Sequence, residues 1–97
     1  MRACTHKIIT AFLNQKPLKT KNVACDGESI RLHDNLIAWR HGDAVYCTLA
    51  GWGTPTTRER LNGLARMLHT PGRFHQQNHV QYYNGAPIGD RDIIRLK

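Results

Sequence analysis

The chain has no hydrophobic stretch that approaches the roughly 18 apolar residues of a membrane span. Its first segment, Met1 to Leu13, also lacks the apolar centre and the small-residue cleavage site of a secretory signal. With 97 residues, it is expected to form one domain over residues 1–97 with a single modest core. We therefore expect a cytoplasmic protein that has no membrane partner.

Cysteines are few and odd in number. Cys4, Cys25 and Cys47 are widely spaced and form no Cys-x-x-Cys pair, so a disulfide framework is not indicated and reduced thiols are expected. Six histidines are many for this length, and His75 and His79 have i, i+4 spacing. Because no matched Cys or carboxylate pair accompanies them, we predict neither a metal site nor a cofactor.

Signatures of catalysis are scarce as well. The single serine, Ser29, lies outside any Gly-x-Ser-x-Gly elbow. The carboxylates of Asp90 and Asp92 stand among arginines, which favours a solvated ion-pair surface. The Gly-Trp-Gly segment at residues 51–53 matches neither glycine-rich phosphate pattern, so a tight strand-to-helix corner covered by Trp52 is the preferred interpretation. We predict that the protein is not an enzyme.

Acidic residues are outnumbered, and this imbalance is the main functional signal in the composition. Fourteen Lys and Arg stand against seven Asp and Glu, which gives a net charge of +7, and residues 1–25 contain no acid at all. A domain this basic attracts polyanions at long range. The expected partner is therefore nucleic acid, either DNA or RNA, or an acidic protein surface.

The clearest structural signal lies between residues 51 and 69. Four apolar residues recur there at i, i+3, i+4 and i+7, which predicts an amphipathic helix with one buried stripe: Leu61, Leu64, Ala65 and Leu68. Thr56 followed three residues later by Glu59 predicts a capping box at the start of this helix. Three arginines, Arg58, Arg60 and Arg66, are predicted to lie on its outer face.

Short strands are predicted for most of the remaining chain. Residues 7–13 are ambiguous, because Ile8, Ile9, Phe12 and Leu13 would line one helical face, yet the β-branched run and the turn residues that follow favour a strand. Residues 17–24 are predicted to return as a second, basic strand.

A β-meander is predicted for residues 29–33, 36–41 and 44–49, with hairpin turns at Asp34-Asn35 and Gly42-Asp43. That register would pair Leu32 with Ile37, Ile30 with Trp39, and Trp39 with Tyr46. After the helix, residues 74–77 and 79–83 predict a hairpin, Asn84-Gly85 predicts a further turn, and Ile93-Ile94 predicts a last strand. The expected fold class is α+β: a small antiparallel meander, one short helix and a C-terminal β-hairpin.

Two segments resemble small accessory proteins encoded in tailed-phage and prophage genomes: residues 35–64 and residues 75–88. The specific part is the pattern GW-x-T-x-TTR-x-RLN at Gly51–Asn62, together with the Asn84-Gly85 turn. The resemblance implies a gene product made in an infected bacterial cytoplasm, where such proteins often bind nucleic acid or intercept a host protein. It carries no catalytic or binding residues over to this chain.

The combined prediction is a non-enzymatic, basic phage-type accessory protein that binds nucleic acid mainly through phosphate contacts. Six residues are predicted to supply charge, namely Arg58, Arg60, Arg66, Lys16, Lys19 and Lys21, and two, Trp52 and Tyr83, to stack on bases. The alternative is an inhibitor or adaptor that binds a host protein, for example a component of a defence system, through an exposed strand edge. A virion component is a third possibility, and the oligomeric state stays open.

Overall fold

A computed structural model describes all 97 residues, which form two α-helices and nine β-strands. The helices are α1 (Ala3–Leu13) and α2 (Pro55–Met67). The strands are β1 (Pro17–Lys19), β2 (Val23–Asp26), β3 (Ser29–Leu32), β4 (Asn35–His41), β5 (Ala44–Cys47), β6 (Phe74–Gln77), β7 (Val80–Tyr83), β8 (Ala86–Ile88) and β9 (Ile94–Arg95).

All strand pairs are antiparallel, in one six-stranded sheet of order β1-β2-β3-β4-β5-β9 and one three-stranded sheet of order β6-β7-β8. Helix α1 contacts β1 to β3 and α2, and α2 contacts β4 and β6. The predicted α+β class and the C-terminal hairpin are confirmed.

The N-terminal segment is a helix, so the strand predicted for residues 7–13 is wrong, and the fold has two helices rather than one. Ile8, Ile9 and Phe12 are buried together with Thr5, at helical spacing. Helix α2 lies so close that a Cβ on Gly63 would be 2.7 Å from Thr5 Cγ2. Burial of this stripe outweighs the strand preference of β-branched residues, since packing supplies most of a helix's stability.

The predicted meander is confirmed in outline but not in its register. The first hairpin turns at His33 and Asp34, which have φ of 50° and 67°, rather than at Asp34-Asn35. Leu32 therefore lies opposite Asn35, and a bulge leaves Ile30 opposite Ala38 instead of Trp39.

The other β-meander predictions have mixed outcomes. Trp39 pairs with Tyr46 as predicted, and the centres of their stacked rings are 6.0 Å apart. The predicted Gly42-Asp43 turn is also confirmed. The single strand predicted for residues 17–24 is instead the β1–β2 hairpin, because the chain turns at Thr20, whose N–H donates to Val23 O at 2.8 Å.

Arg40 connects the six-stranded sheet to the end of α1. Its guanidinium donates to Phe12 O at 2.9 Å and to Gly27 O at 2.8 Å, and it lies 4.3 Å from the centre of the Phe12 ring. The carbonyls at the C-terminus of a helix lack partners within the helix and attract a positive charge. Arg40 thus fixes α1 on the sheet, above a core of 17 buried apolar residues.

Candidate nucleic-acid interface

Helix α2 begins at a different cap from the one predicted. Thr54 is the N-cap residue, and its Oγ1 accepts a hydrogen bond from the Thr57 N–H at 3.2 Å. Pro55 occupies the first helical position, where the missing N–H costs nothing. The predicted capping box of Thr56 with Glu59 is wrong, because the Glu59 carboxylate turns away to α1 and accepts from Thr5 Oγ1 and from the Arg2 N–H.

Arg60 does not lie on the outer face of α2, and this part of the prediction is wrong. Its side chain is buried, with 6% of the residue exposed, and Nη1 donates to Thr5 Oγ1 at 2.6 Å and contacts the Glu59 carboxylate. Burial raises the pKa of Glu59, but the hydrogen bonds from Thr5, Arg2 and Arg60 outweigh it and hold that pKa below its ordinary value. Arg60 joins the two helices and does not face an external ligand.

The sequence does contain a signal for the burial of Arg60. Counting from Thr57, the inward stripe of α2 runs through i+3, i+4 and i+7, which are Arg60, Leu61 and Leu64. Arg60 therefore lies on the buried stripe by spacing alone. Its charge led to the prediction of an exposed position.

Arg58 and Arg66 line a groove of about 400 Å³ between α2 and β6. Arg66 is exposed. Arg58 is half-buried, and its Nη1 donates to Gly53 O at 2.7 Å and to the side-chain oxygens of Gln76 and Gln81 at 3.1 and 3.2 Å. All these partners are neutral carbonyls, which fix the direction of the Arg58 guanidinium and place no negative charge beside it.

The three lysines are exposed and lie at two separate places. Lys19 and Lys21 line a groove of about 290 Å³ together with Arg31 and His33, and Asp34 is the one acidic residue in its lining. Lys16 borders another shallow groove beside α1, together with Lys7. The structure thus brings Lys19 and Lys21 together but separates them from Lys16 and from the arginines of α2.

Trp52 forms one wall of a cleft of about 440 Å³, here called the Trp52 cleft. The cleft lies between the β3–β4 hairpin and the start of α2. Its apolar lining consists of Leu32, Ile37, Leu49 and Trp52, and its polar lining of His33, Asn35, Thr54, Thr56 and Thr57. Trp52 itself is 57% exposed, so it does not cover the corner as the preferred sequence interpretation held. Because His33 lines both spaces, the Trp52 cleft adjoins the lysine groove.

Tyr83, the second predicted stacking residue, packs inward. Its ring centre lies 4.8 Å from that of Phe74, and a Cβ on Gly72 would come within 2.5 Å of its hydroxyl oxygen. Burial raises the pKa of the Tyr83 hydroxyl. The ring therefore supports the three-stranded sheet, and it does not line the Trp52 cleft. Sequence reasoning missed Arg31 and His33, whose proximity to Lys19 and Lys21 depends on sheet pairing.

The positive charge is largely without local compensation. Glu59 is the one carboxylate within 4.0 Å of a Lys or Arg nitrogen, and its partners are Arg2 and Arg60. No three His, Cys, Asp or Glu side chains come together in a way that could hold a metal ion. None of the helices has the length and apolar character that crossing a membrane requires.

Comparison with known proteins identifies a family. No curated protein and no solved structure matches the chain. A family model described as Kyanoviridae Gp96 protein matches residues 1–95. The predicted phage origin is confirmed by this match, whereas the role of the Gly51–Asn62 pattern as a family mark stays a prediction. Because the match covers nearly the whole sequence, the chain belongs to the Kyanoviridae Gp96 family of phage proteins.

Proposed function

We propose that this phage protein is a non-enzymatic nucleic-acid-binding protein that holds its ligand mainly through phosphates, in the cytoplasm of the infected bacterium. The observation that carries the proposal is the uncompensated charge. Of fourteen Lys and Arg side chains, only Arg2 and Arg60 lie within 4.0 Å of a carboxylate. Such a surface gains affinity for a polyanion because its cations replace counterions that are condensed on the polyanion, and these counterions are released.

The lysine groove is the best candidate for the main contact. Lys19, Lys21 and Arg31 line it without an ion-pair partner, and the loop and strands that carry them belong to one sheet. Fixed backbone positions allow several phosphates of one strand to be neutralised at once. The proposal therefore moves the main interface from the arginines of α2 to the β1–β3 end of the six-stranded sheet.

The test is a fluorescence-anisotropy titration with short single- and double-stranded DNA and RNA at low and near-physiological salt. Affinity should fall linearly on a log–log plot against salt, with a slope of about −0.7 per neutralised phosphate for a single strand and about −0.9 for a duplex. The double variant K19E/K21E should weaken binding strongly. The control variant K7E/K97E changes the net charge by the same amount at other exposed positions. Equal losses in the two variants would contradict a phosphate site in the lysine groove.

A second candidate function is an adaptor or inhibitor that binds a host protein, such as a component of a defence system. The observation in its favour is an open strand edge at β6. The Asn84 N–H donates to Arg73 O at 2.9 Å, so these two residues form a hydrogen-bonded pair of the β6–β7 ladder. Because such pairs alternate along antiparallel strands, the backbone N–H and C=O groups of Phe74 and Gln76 point away from β7. Asn62 satisfies those of Phe74, at 2.6 and 2.9 Å, which leaves Gln76 at the edge of the groove that Arg66 lines.

Strand addition at this edge is tested with two substitutions at one position. Gln76→Pro removes the edge N–H, whereas Gln76→Ala keeps it and removes only the side chain. A host complex that survives nuclease treatment should be lost in Q76P and retained in Q76A. If both variants retain the complex, a partner strand does not pair with β6.

A further inference from the structure

We propose that the Trp52 cleft holds one unpaired nucleobase, which makes a single strand the preferred ligand. The inference rests on the proposed nucleic-acid function and adds to it the strandedness and the position of the base. In this arrangement the base stacks on Trp52 while the adjoining backbone follows Lys19, Lys21 and Arg31.

The first argument is the shape and lining of the cleft. Its volume of about 440 Å³ exceeds that of a nucleobase and leaves room for part of the sugar. Leu32, Ile37 and Leu49, each at most 4% exposed, form an apolar floor. Flat aromatic bases bind well to such surfaces, and base–aromatic stacking depends little on the identity of the base.

The second argument is the position of Trp52. A domain with only seven aromatic residues gains stability by burying them, yet Trp52 is 57% exposed. Backbone hydrogen bonds hold the corner that carries it. Ala50 and Gly51 have φ of 56° and 83°, the Trp52 N–H donates to Leu49 O, and the Gly51 N–H donates to Asp90 O, both at 2.9 Å. A backbone that already holds Trp52 beside the cleft has little conformational freedom left to lose when a ligand stacks on the indole.

The third argument is the polar rim, which can contact the edge of a base or a nearby phosphate. Thr56 follows the proline of α2, and no protein group accepts its N–H, so this donor of the helix N-terminus is available. Asn35 uses its Nδ2 on His33 O at 3.3 Å and leaves its side-chain oxygen without a partner. The two residues that carry this donor and this acceptor both line the same cleft.

Charge complementarity selects a nucleotide strand over a neutral aromatic ligand. The lysine groove continues from the cleft through His33, with three cations and one acidic residue in its lining. A duplex keeps its bases stacked on one another, so an indole beside it contacts only sugar and phosphate. A single strand offers both the free base and the flexible backbone that this geometry requires.

The test uses oligothymidylate of about 12 nucleotides and an abasic strand of the same length and charge. Trp39 and Trp52 are the two tryptophans, so Trp39→Phe makes fluorescence report Trp52 alone. Oligothymidylate should quench this emission and bind roughly 5- to 150-fold more tightly than the abasic strand, the range for one stacked base. Trp52→Ala should lose that advantage and leave abasic binding unchanged. Tyr82→Ala, which removes an aromatic ring from the other sheet, serves as the control.

The outcomes separate the inference from the proposed function. Equal affinity for the two strands, without quenching, overturns the base-binding cleft while salt-dependent binding would still support a phosphate interface. A change in Trp52 emission with protein concentration alone would assign the cleft to a second copy of the chain and would also overturn the inference. If neither strand binds near physiological salt, the proposed function fails together with the inference.

Discussion

Replacing Glu59 with glutamine should destabilise the contact between the two helices. Arg60 is 6% exposed, and its only charged partner within 4.0 Å is the Glu59 carboxylate, while its Nε has no hydrogen-bond partner. The isosteric amide keeps the shape but leaves a buried guanidinium without a counter-charge. Since Glu59 is itself part-exposed, we expect a loss of about 2–3 kcal/mol, which lies at and just below the lower end of the range for broken buried pairs.

The measurement is thermal unfolding followed by circular dichroism. For a domain of this size the expected loss lowers Tm by on the order of 10–20 °C. Asp43→Asn is the matched control, because Asp43 lies exposed in a turn without an ion pair and its substitution should change Tm little. The double variant E59Q/R60M should recover part of the loss, since it removes the unpaired charge. Equal Tm values for E59Q and D43N would refute the reasoning.

Three further predictions concern pH, the end of α1 and the cysteines. The pKa of Glu59 is lowered in the folded protein, so its contribution to stability is complete above its unfolded-state pKa near 4.5 and is lost as pH falls through the folded-state pKa. The acid limb of a plot of Tm against pH should therefore be shallower in E59Q than in the wild type. Equal slopes would contradict this account. Arg40→Met should lower the free energy of unfolding by about 1–3 kcal/mol, because it removes two hydrogen bonds to carbonyls and the cation over the Phe12 ring. Arg95→Met, at an exposed position, should be close to neutral. Equal midpoints of urea unfolding for the two variants would contradict this. Burial raises the pKa of the Cys47 thiol to about 12. Alkylation of the native protein near pH 8, followed by mass spectrometry, should therefore label half-buried Cys4 well before Cys47. The reverse order would show that the core around Cys47 opens readily.

Local patterns predicted several elements correctly because their determinants lie close together in sequence. The apolar stripe of α2 repeats within two turns, and Leu61, Leu64 and Ala65 are buried as predicted. The Asn84-Gly85 turn between β7 and β8 needs only two residues that tolerate positive φ. By contrast, residues 7–13 satisfy both a helical and a strand pattern, and contact with α2 decides between them.

The candidate site was predicted less well, because it depends on which distant segments meet. The lysine groove with Lys19 and Lys21 adjoins the Trp52 cleft, so one ligand could contact both. In contrast, the side chains of Arg60 and Tyr83 pack into the protein. Charge and aromatic character indicate what a side chain can bind. They do not indicate whether another element covers it.

The sequence by itself determined the basic surface, the α2 stripe, the C-terminal turns and the phage-like pattern, since each depends on composition or on neighbours a few residues apart. The tertiary structure decided that α1 is a helix, that a bulge shifts the β3–β4 register, and that Glu59 holds Arg60 against Thr5. It also placed Trp52 at an exposed cleft beside the lysine groove. These features arise from packing between segments that are far apart in the sequence, such as Thr5 and Arg60, which are separated by 55 positions. No local pattern contains the energies of such contacts.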